Sequence, residues 1–275
     1  MPESPKSMRT INDRLKNFDP ADVGRKSKIM ANVIAAQMLP LSALRGGTSL
    51  KIRYGDHKTR GSRDLDIALA SDRDEFIVQY IDKLSLGWHG FTGVLKQSRK
   101  KSNPENIPSK YITETWDLKL SFNGTEWHSQ EIDIGHDEIG DTVDFELEFS
   151  TEINSWFEVC GLPIPNPVPV IKAHHQIAQK IHALASNPLE RIHDLVDLQV
   201  IFKNQAIDPV ITATTCMRLF KSRQTLSWPP NLTFNFEAKS LYSNALERTE
   251  AIPELELAVA WFNEMVAKLS SQIRK

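Results

Sequence analysis

The chain has 275 residues. That is room for one large or two modest domains at about 100–200 residues each, and the pattern along it favours two. With 33 Lys+Arg against 35 Asp+Glu the formal net charge is −2, which excludes a global attraction to a polyanion and confines any nucleic-acid contact to a local basic patch. Cys160 and Cys216 are too few for a disulfide framework, and the polar N-terminus and the lack of any run near the roughly 20 apolar residues that span a bilayer point to a cytoplasmic protein without membrane partners.

Residues 1–8 read as a frayed leader. Asp19-Pro20-Ala21-Asp22 then offers an acidic cap and a first-turn proline to a helix carrying Val23, Ile29, Val33, Ile34 and Met38, which stops at Pro40. The segment 41–45 is expected as a short strand entering a turn at Gly46-Gly47, and Leu50, Ile52 and Tyr54 as a short helix behind it. From Arg63 to Ala70 the alternation is strict, with Leu65, Ile67 and Leu69 on one face and Asp64, Asp66 and Ala68 on the other, so this is a half-buried strand. A helix capped by Ser71 or Asp72 follows to Leu86, with Phe76, Ile77, Tyr80, Ile81 and Leu84 inward. The basic, proline-interrupted stretch Lys96–Ser109 is expected as an exposed loop. Ile112–Phe122 and His128–Ile134 read as paired strands joined by hairpin chemistry at Asn123-Gly124.

Leu162–Val170 holds four prolines in nine residues, which argues against a helix or central strand and places a domain boundary there. Beyond it helical patterns cover 171–186, 189–203, 209–223, 241–248 and 253–273, with an irregular Trp-Pro-Pro stretch among them. The layout is therefore α+β: a domain with a small mixed sheet over 1–162, and an all-helical domain over 163–275.

Chemistry concentrates in the first of these. Two carboxylates at i and i+2 on a strand leave the same face about 7 Å apart at the backbone, close enough for Asp64 and Asp66 to converge on one divalent ion. Magnesium favours such hard oxygen ligands in small number, because a nucleotide triphosphate supplies the others. Two solvated acids on an edge strand are the plainer alternative. The turn Gly46-Gly47-Thr48-Ser49 between a strand and a helix offers bare main-chain N–H groups and hydroxyls where a phosphate could dock. On the later strand Glu131 and Asp133 lie opposite Ile132 and Ile134, and Asp133 is the preferred third carboxylate. Lys180 lies on the apolar side of its helix with Ile177, Ile181 and Leu184, so its ammonium must meet acids or phosphate, or else reach water. Arg191, Asp194 and Asp197 recur near one face of the next helix, as an ion-pair ladder or as site residues.

Five ordered stretches carry a resemblance: Leu44-Arg45-Gly46-Gly47-Thr48-Ser49-Leu50, Arg60-Gly61-Ser62-Arg63-Asp64-Leu65-Asp66, Glu131-Ile132-Asp133-Ile134-Gly135, residues 178–184 around Lys180, and residues 191–198. Together they resemble the AbiEii-type nucleotidyltransferase toxins of type IV toxin–antitoxin systems, within the polymerase-β-like superfamily. The chain departs from the family pattern at Gln179, where a Glu is common, and at Val196, where an aromatic is common.

The resemblance implies a fold, an activity and a site. Asp64, Asp66 and Asp133 would bind two magnesium ions, and Lys180 would grip the triphosphate of an NTP substrate. Gly46, Gly47, Thr48 and Ser49 would hold phosphates, with Arg60 and Ser62 also on the nucleotide side, while Arg191 and Asp194 would orient the nucleotide or the lysine. The helical domain would thus contribute Lys180 and Asp194 to an interdomain active site. The reaction would transfer NMP to an acceptor hydroxyl, on RNA and specifically a tRNA acceptor end, in a toxin–antitoxin or phage-defence system with a cognate antitoxin as partner.

On the residues alone, a non-catalytic nucleotide- or partner-binding module and a kinase or nucleotidylylating enzyme acting on protein remain alternatives. His174, His175, His182 and His193 match no zinc-ligand spacing. Arg218, Lys221 and Arg223 with Lys96–Lys101 are candidate RNA-backbone contacts or a solvated charge run, and Trp228, Trp261 and Phe262 are expected in the core.

Overall fold

The computed structural model describes residues 2–62, 64–98, 113–235 and 237–273. It divides into two compact units, one of residues 1–55, 63–137 and 142–170, the other of residues 56–62, 138–141 and 171–275. Most of the stretch Lys96–Ser109, including Arg99 to Lys101, and the start of the predicted strand at Ile112 lie outside the described residues.

The first unit is built on β1 (Ser42–Arg45), β2 (Leu65–Leu69), β3 (Phe91–Gln97), β4 (Glu114–Phe122), β5 (Thr125–His136), β6 (Phe145–Glu148) and β7 (Val168–Ile171). These form one seven-stranded sheet in the order β3-β4-β5-β2-β1-β7-β6. The sheet is mixed. β2 runs parallel to β5 and β1 parallel to β7, whereas β1–β2, β3–β4 and β4–β5 are antiparallel. The alternation read in β2 and β5 puts Leu65, Ile67, Ile132 and Ile134 at 0% exposure, which fixes the register, since a slip of one residue would exchange the buried and exposed faces. Asn123 and Gly124 both take positive φ between β4 and β5, as a two-residue hairpin turn requires.

The helices of this unit are α1 (Met8–Phe18), α2 (Val23–Gln37), α3 (Gly46–Tyr54), α4 (Arg73–Leu86) and α5 (Thr151–Cys160). Their apolar faces join the sheet in one core: Ile11 and Leu15 of α1, Met30 and Ile34 of α2, Phe76 and Tyr80 of α4, and Trp156 and Phe157 of α5 are all buried there. Asp72 caps α4 as expected, its carboxylate accepting from the N–H groups of Asp74 and Glu75.

Four expectations are corrected. The leader ends in α1, capped by Ser7 and anchored by Met8, Ile11 and Leu15 at helical spacing. α2 begins at Val23, because Asp19 folds its carboxylate back onto the N–H of Ala21 and Asp22 adopts a left-handed conformation without capping. Ile81 is 43% exposed on α4 instead of buried. The proline-rich segment contributes β7, which lies between β1 and β6, so the prolines did not bar a strand. β7 is only four residues long, and its single register pair with β1, Leu44 with Val170, uses a residue that is not proline.

The second unit is helical: α6 (Ala173–Ser186), α7 (Ile192–Asn204), α8 (Pro209–Arg223), α9 (Ala238–Ala245) and α10 (Leu255–Ser271). α8 starts on a proline behind the capping carboxylate of Asp208. α6 packs on both α7 and α8, and Ile177, Ile181, Leu195, Leu198, Cys216 and Phe220 are buried. Phe262 belongs to the buried set as expected, and Trp228 and Trp261 make edge contacts with Phe220 and Phe202. No helix among the described residues is long and apolar enough to cross a membrane.

Candidate active site

Sheet register assembles the acids. Arg45 of β1 pairs with Asp66 of β2, Asp66 with Asp133 of β5, and Asp133 with Thr115 of β4, so four polar residues form one row across four strands. Paired residues on adjacent strands share a face about 5 Å apart, which sets the Asp66 and Asp133 side chains next to each other. Of the two candidate acids on β5, Asp133 is therefore the one opposite Asp66. The neighbouring row, Ala43, Ala68 and Gly135, is made of small residues.

Each acid is fixed differently. Thr115 Oγ1 donates to Asp133 Oδ1 at 2.6 Å, leaving the second oxygen, Oδ2, to turn to another partner. The Asp66 carboxylate packs against the turn into α3: a Cβ on Gly46 would come within 1.8 Å of Asp66 Oδ2. Gly46 also has φ +69°, so both its backbone and the space beside it demand glycine. Asp64 is exposed at the mouth of β2. Its carbonyl accepts from Thr48 Oγ1 at 2.9 Å, and Thr48 in turn accepts from Asn32 Nδ2 at 3.0 Å.

The turn hydroxyls thus face inward. Thr48 is 1% and Ser49 0% exposed, and Ser49 Oγ donates to the carbonyl of Gly46, which holds the first turn of α3. The part of this turn that reaches the surface is the main chain at Gly46 and Gly47, both half-buried.

The remaining predicted residues meet in the second unit. Lys180 of α6 is 5% exposed and donates to Asp194 Oδ1 at 2.8 Å and to Asp197 Oδ2 at 2.6 Å, both on α7. Arg60 grips Asp197 with two hydrogen bonds of 2.9 Å each, and Arg191 donates to Asp194 Oδ2 at 2.7 Å. Neither a surface ladder nor a lysine reaching water describes this cluster. Burial alone would pull the Lys180 ammonium down, but Asp194 and Asp197 outweigh it and raise its pKa. Burial likewise works against ionised Asp197, and Lys180 and Arg60 overcome it, holding that carboxyl well below the usual range. Three cations share two carboxylates, so the cluster keeps a positive excess. Ser62, the last residue of the chain segment that carries Arg60, is half-buried.

Two contributors carry no role in the sequence pattern, and a third lacks its partner there. Thr115 and Arg45 are polar residues whose place in the row exists only through strand register: no motif marks Thr115, and the stretch around Gly46-Gly47 contains Arg45 without giving it a role. Asp197 was visible as part of a helical repeat, but its partner Arg60 lies 137 positions away. The departure at Gln179 also has a structural reason: its amide donates at 2.7 Å to Asp141, a carboxylate with 0% exposure, against which a Glu would be repelled. Arg218 and Arg223, considered for RNA, bind within the second unit to the carbonyl of Ile139 and to both carboxylate oxygens of Glu138.

Residues 28–271 match the family described as nucleotidyl transferase AbiEii toxin, type IV toxin–antitoxin system. Among solved structures the chain is similar to MenT4, a nucleotidyltransferase toxin from Mycobacterium tuberculosis, at 16% identity and TM-score 0.60, covering 96% of this chain and 92% of that one. It is also matched to JHP933 from Helicobacter pylori at 14% identity and TM-score 0.39, covering 98% and 97%. Comparison with curated proteins gave no significant match.

Proposed function

Since the chain belongs to the AbiEii nucleotidyltransferase toxin family and is a nucleotidyltransferase, we propose that it transfers NMP from an NTP to a hydroxyl of RNA, at a tRNA acceptor end, with magnesium held by Asp64, Asp66 and Asp133. The observation that carries this reading is the in-register pairing of Asp66 with Asp133 on parallel strands. Like charges directly opposite each other weaken a sheet, whereas a divalent cation between them turns the liability into a binding site. The donors fit: they are hard carboxylate oxygens, one of the three residues is exposed and two are half-buried, and the Gly46 cradle fixes one of them.

When bound, the magnesium supplies Lewis-acid polarisation of the phosphates and neutralises charge that develops on the entering and leaving oxygens. The protein's own groups do the positioning. Main-chain N–H groups at Gly46 and Gly47 take phosphate oxygens at the start of α3. The acceptor hydroxyl oxygen bonds to the α-phosphorus, its proton passes to Asp133, whose Oδ1 is already fixed by Thr115, and the bond from the α-phosphorus to the bridging oxygen breaks to release pyrophosphate. Within the second unit, Lys180, Arg60 and Arg191 share the carboxylates of Asp194 and Asp197, and the positive excess of that cluster suits it to a phosphate ligand. A cognate antitoxin is the partner that the family implies.

Incubation of the purified protein with each labelled NTP, magnesium and total tRNA tests the proposal. Label should move to RNA from at least one NTP, and Asp66→Asn should stop it. Label on a protein acceptor alone would replace the RNA reading, and no transfer to any acceptor would overturn it.

A further inference from the structure

Arg45 and Asp66 are paired across β1 and β2 with opposite charges, the arrangement in which an ion pair would be expected, yet their charged ends lie against different glycines. The Asp66 carboxylate turns to Gly46 on the β1 side. The Arg45 guanidinium goes the other way: a Cβ on Gly135 of β5 would lie 1.9 Å from Arg45 Nη2. To reach that point the side chain crosses β2 along the row of small residues that includes Ala68 and Gly135. Two glycines therefore make room for two charged ends, one for each sign. Among the described residues the guanidinium has no hydrogen bond or ion pair, although Arg45 is a half-buried residue of the row that carries Asp66 and Asp133.

A half-buried guanidinium presents up to five donors in a planar fork suited to phosphate oxygens, and leaving such donors unused is unfavourable. From this placement we infer that Arg45 is the anion-binding half of the acid site, a contact to the phosphates of the nucleotide, kept from neutralising Asp66 by the space at Gly135. The inference rests on the proposed nucleotidyl transfer for the identity of the ligand but on the Arg45–Gly135 geometry for the site. Asp66 and Asp133 take the cation, and Arg45 takes the anion that accompanies it. Lysine would serve poorly here, since a single ammonium cannot reproduce the fork.

The test uses inorganic tripolyphosphate as probe, measured by calorimetry in the presence of EDTA so that bound metal does not contribute, with thermal unfolding as a control for folding. Arg45→Gln, which keeps length and hydrogen bonding but not charge, should weaken tripolyphosphate binding about tenfold or more, and Arg45→Lys should fall between it and the wild type. Gly135→Ala should weaken binding as well, because it displaces the guanidinium while leaving it in the protein. Equal affinity of the wild type and Arg45→Gln would overturn the inference, as would Arg45→Gln lowering transfer while tripolyphosphate affinity stays unchanged. If tripolyphosphate binding depends on Arg45 but the wild type transfers no nucleotide, the anion site stands and the proposed reaction fails.

Discussion

Gly46 and Lys180 are the residues at which single atoms decide most. At Gly46 a methyl group would collide with the Asp66 carboxylate, in a backbone conformation that costs an L residue about 1–2 kcal/mol. Gly46→Ala is therefore expected to lose activity far more than stability: transfer should fall about a hundredfold or more, while denaturant unfolding shows a loss on the order of 1–3 kcal/mol. Lys180 predicts the opposite balance. Lys180→Met strips the shared cation from two buried carboxylates, Asp194 at 0% and Asp197 at 1% exposure, and breaking a buried ion pair from one side costs about 3–5 kcal/mol. Activity should fall nearly as far as in Asp66→Asn, and adding Asp197→Asn should not recover stability, because it takes the carboxylate from Arg60 as well. Thr48 and Ser49 illustrate why the sequence misleads at this scale. A hydroxyl beside a glycine turn reads equally as a phosphate ligand or as a local cap, and here both hydroxyls bond within the fold.

Most elements with a strong period were legible, α1 being the exception, and most of those without one were not. β2 and β5 announced themselves through strict alternation, and Gly46-Gly47 marked the entry to α3. β3, β6 and α5 left no comparable trace: β6 is four residues long, and β3 carries Gly93 and a 55% exposed Val94 in its middle. The acids and the glycines of the site could be named from the chain, but the row Arg45–Asp66–Asp133–Thr115 could not, because it exists only once β1, β2, β5 and β4 are laid side by side. The helices α6 and α7 carry a pH prediction. Burial, reinforced by Arg223, pushes His182 down to about 4, and its Nδ1 accepts a hydrogen bond from Arg223 that only the neutral ring can take. Burial and Arg60 push His193 down to about 4 as well. Both rings bind protons more readily unfolded, at the ordinary value of 6.5, so stability is complete above that pH and falls as pH drops from 6.5 to 4. Asp197 is ionised in both states across that window and adds its own loss only below about 3.8, its unfolded value. Urea unfolding between pH 7 and pH 4 should show this decline, and His182→Gln should flatten it; an unchanged slope in that variant would remove His182 from the account.

At the scale of the whole molecule, the fold invests stability in charge. Asp66 opposite Asp133 is a repulsive pair in the absence of a cation, so Asp133→Asn should leave the metal-free melting temperature equal or higher while removing activity. Magnesium should raise the melting temperature of the wild type and not of this variant, since a ligand stabilises only the state that binds it. The acid row is the proposed seat of nucleotidyl transfer. Its most direct test compares NTP labelled at the α- or the γ-phosphate over a magnesium titration, with the wild type and Asp133→Asn. The account predicts that only the α label reaches the acceptor, that pyrophosphate is released in equal amount, and that Asp133→Asn is slower by about a thousandfold, the equivalent of several kcal/mol of lost charge stabilisation. Transfer of the γ label, or an Asp133→Asn protein that turns over at the wild-type rate, would contradict it.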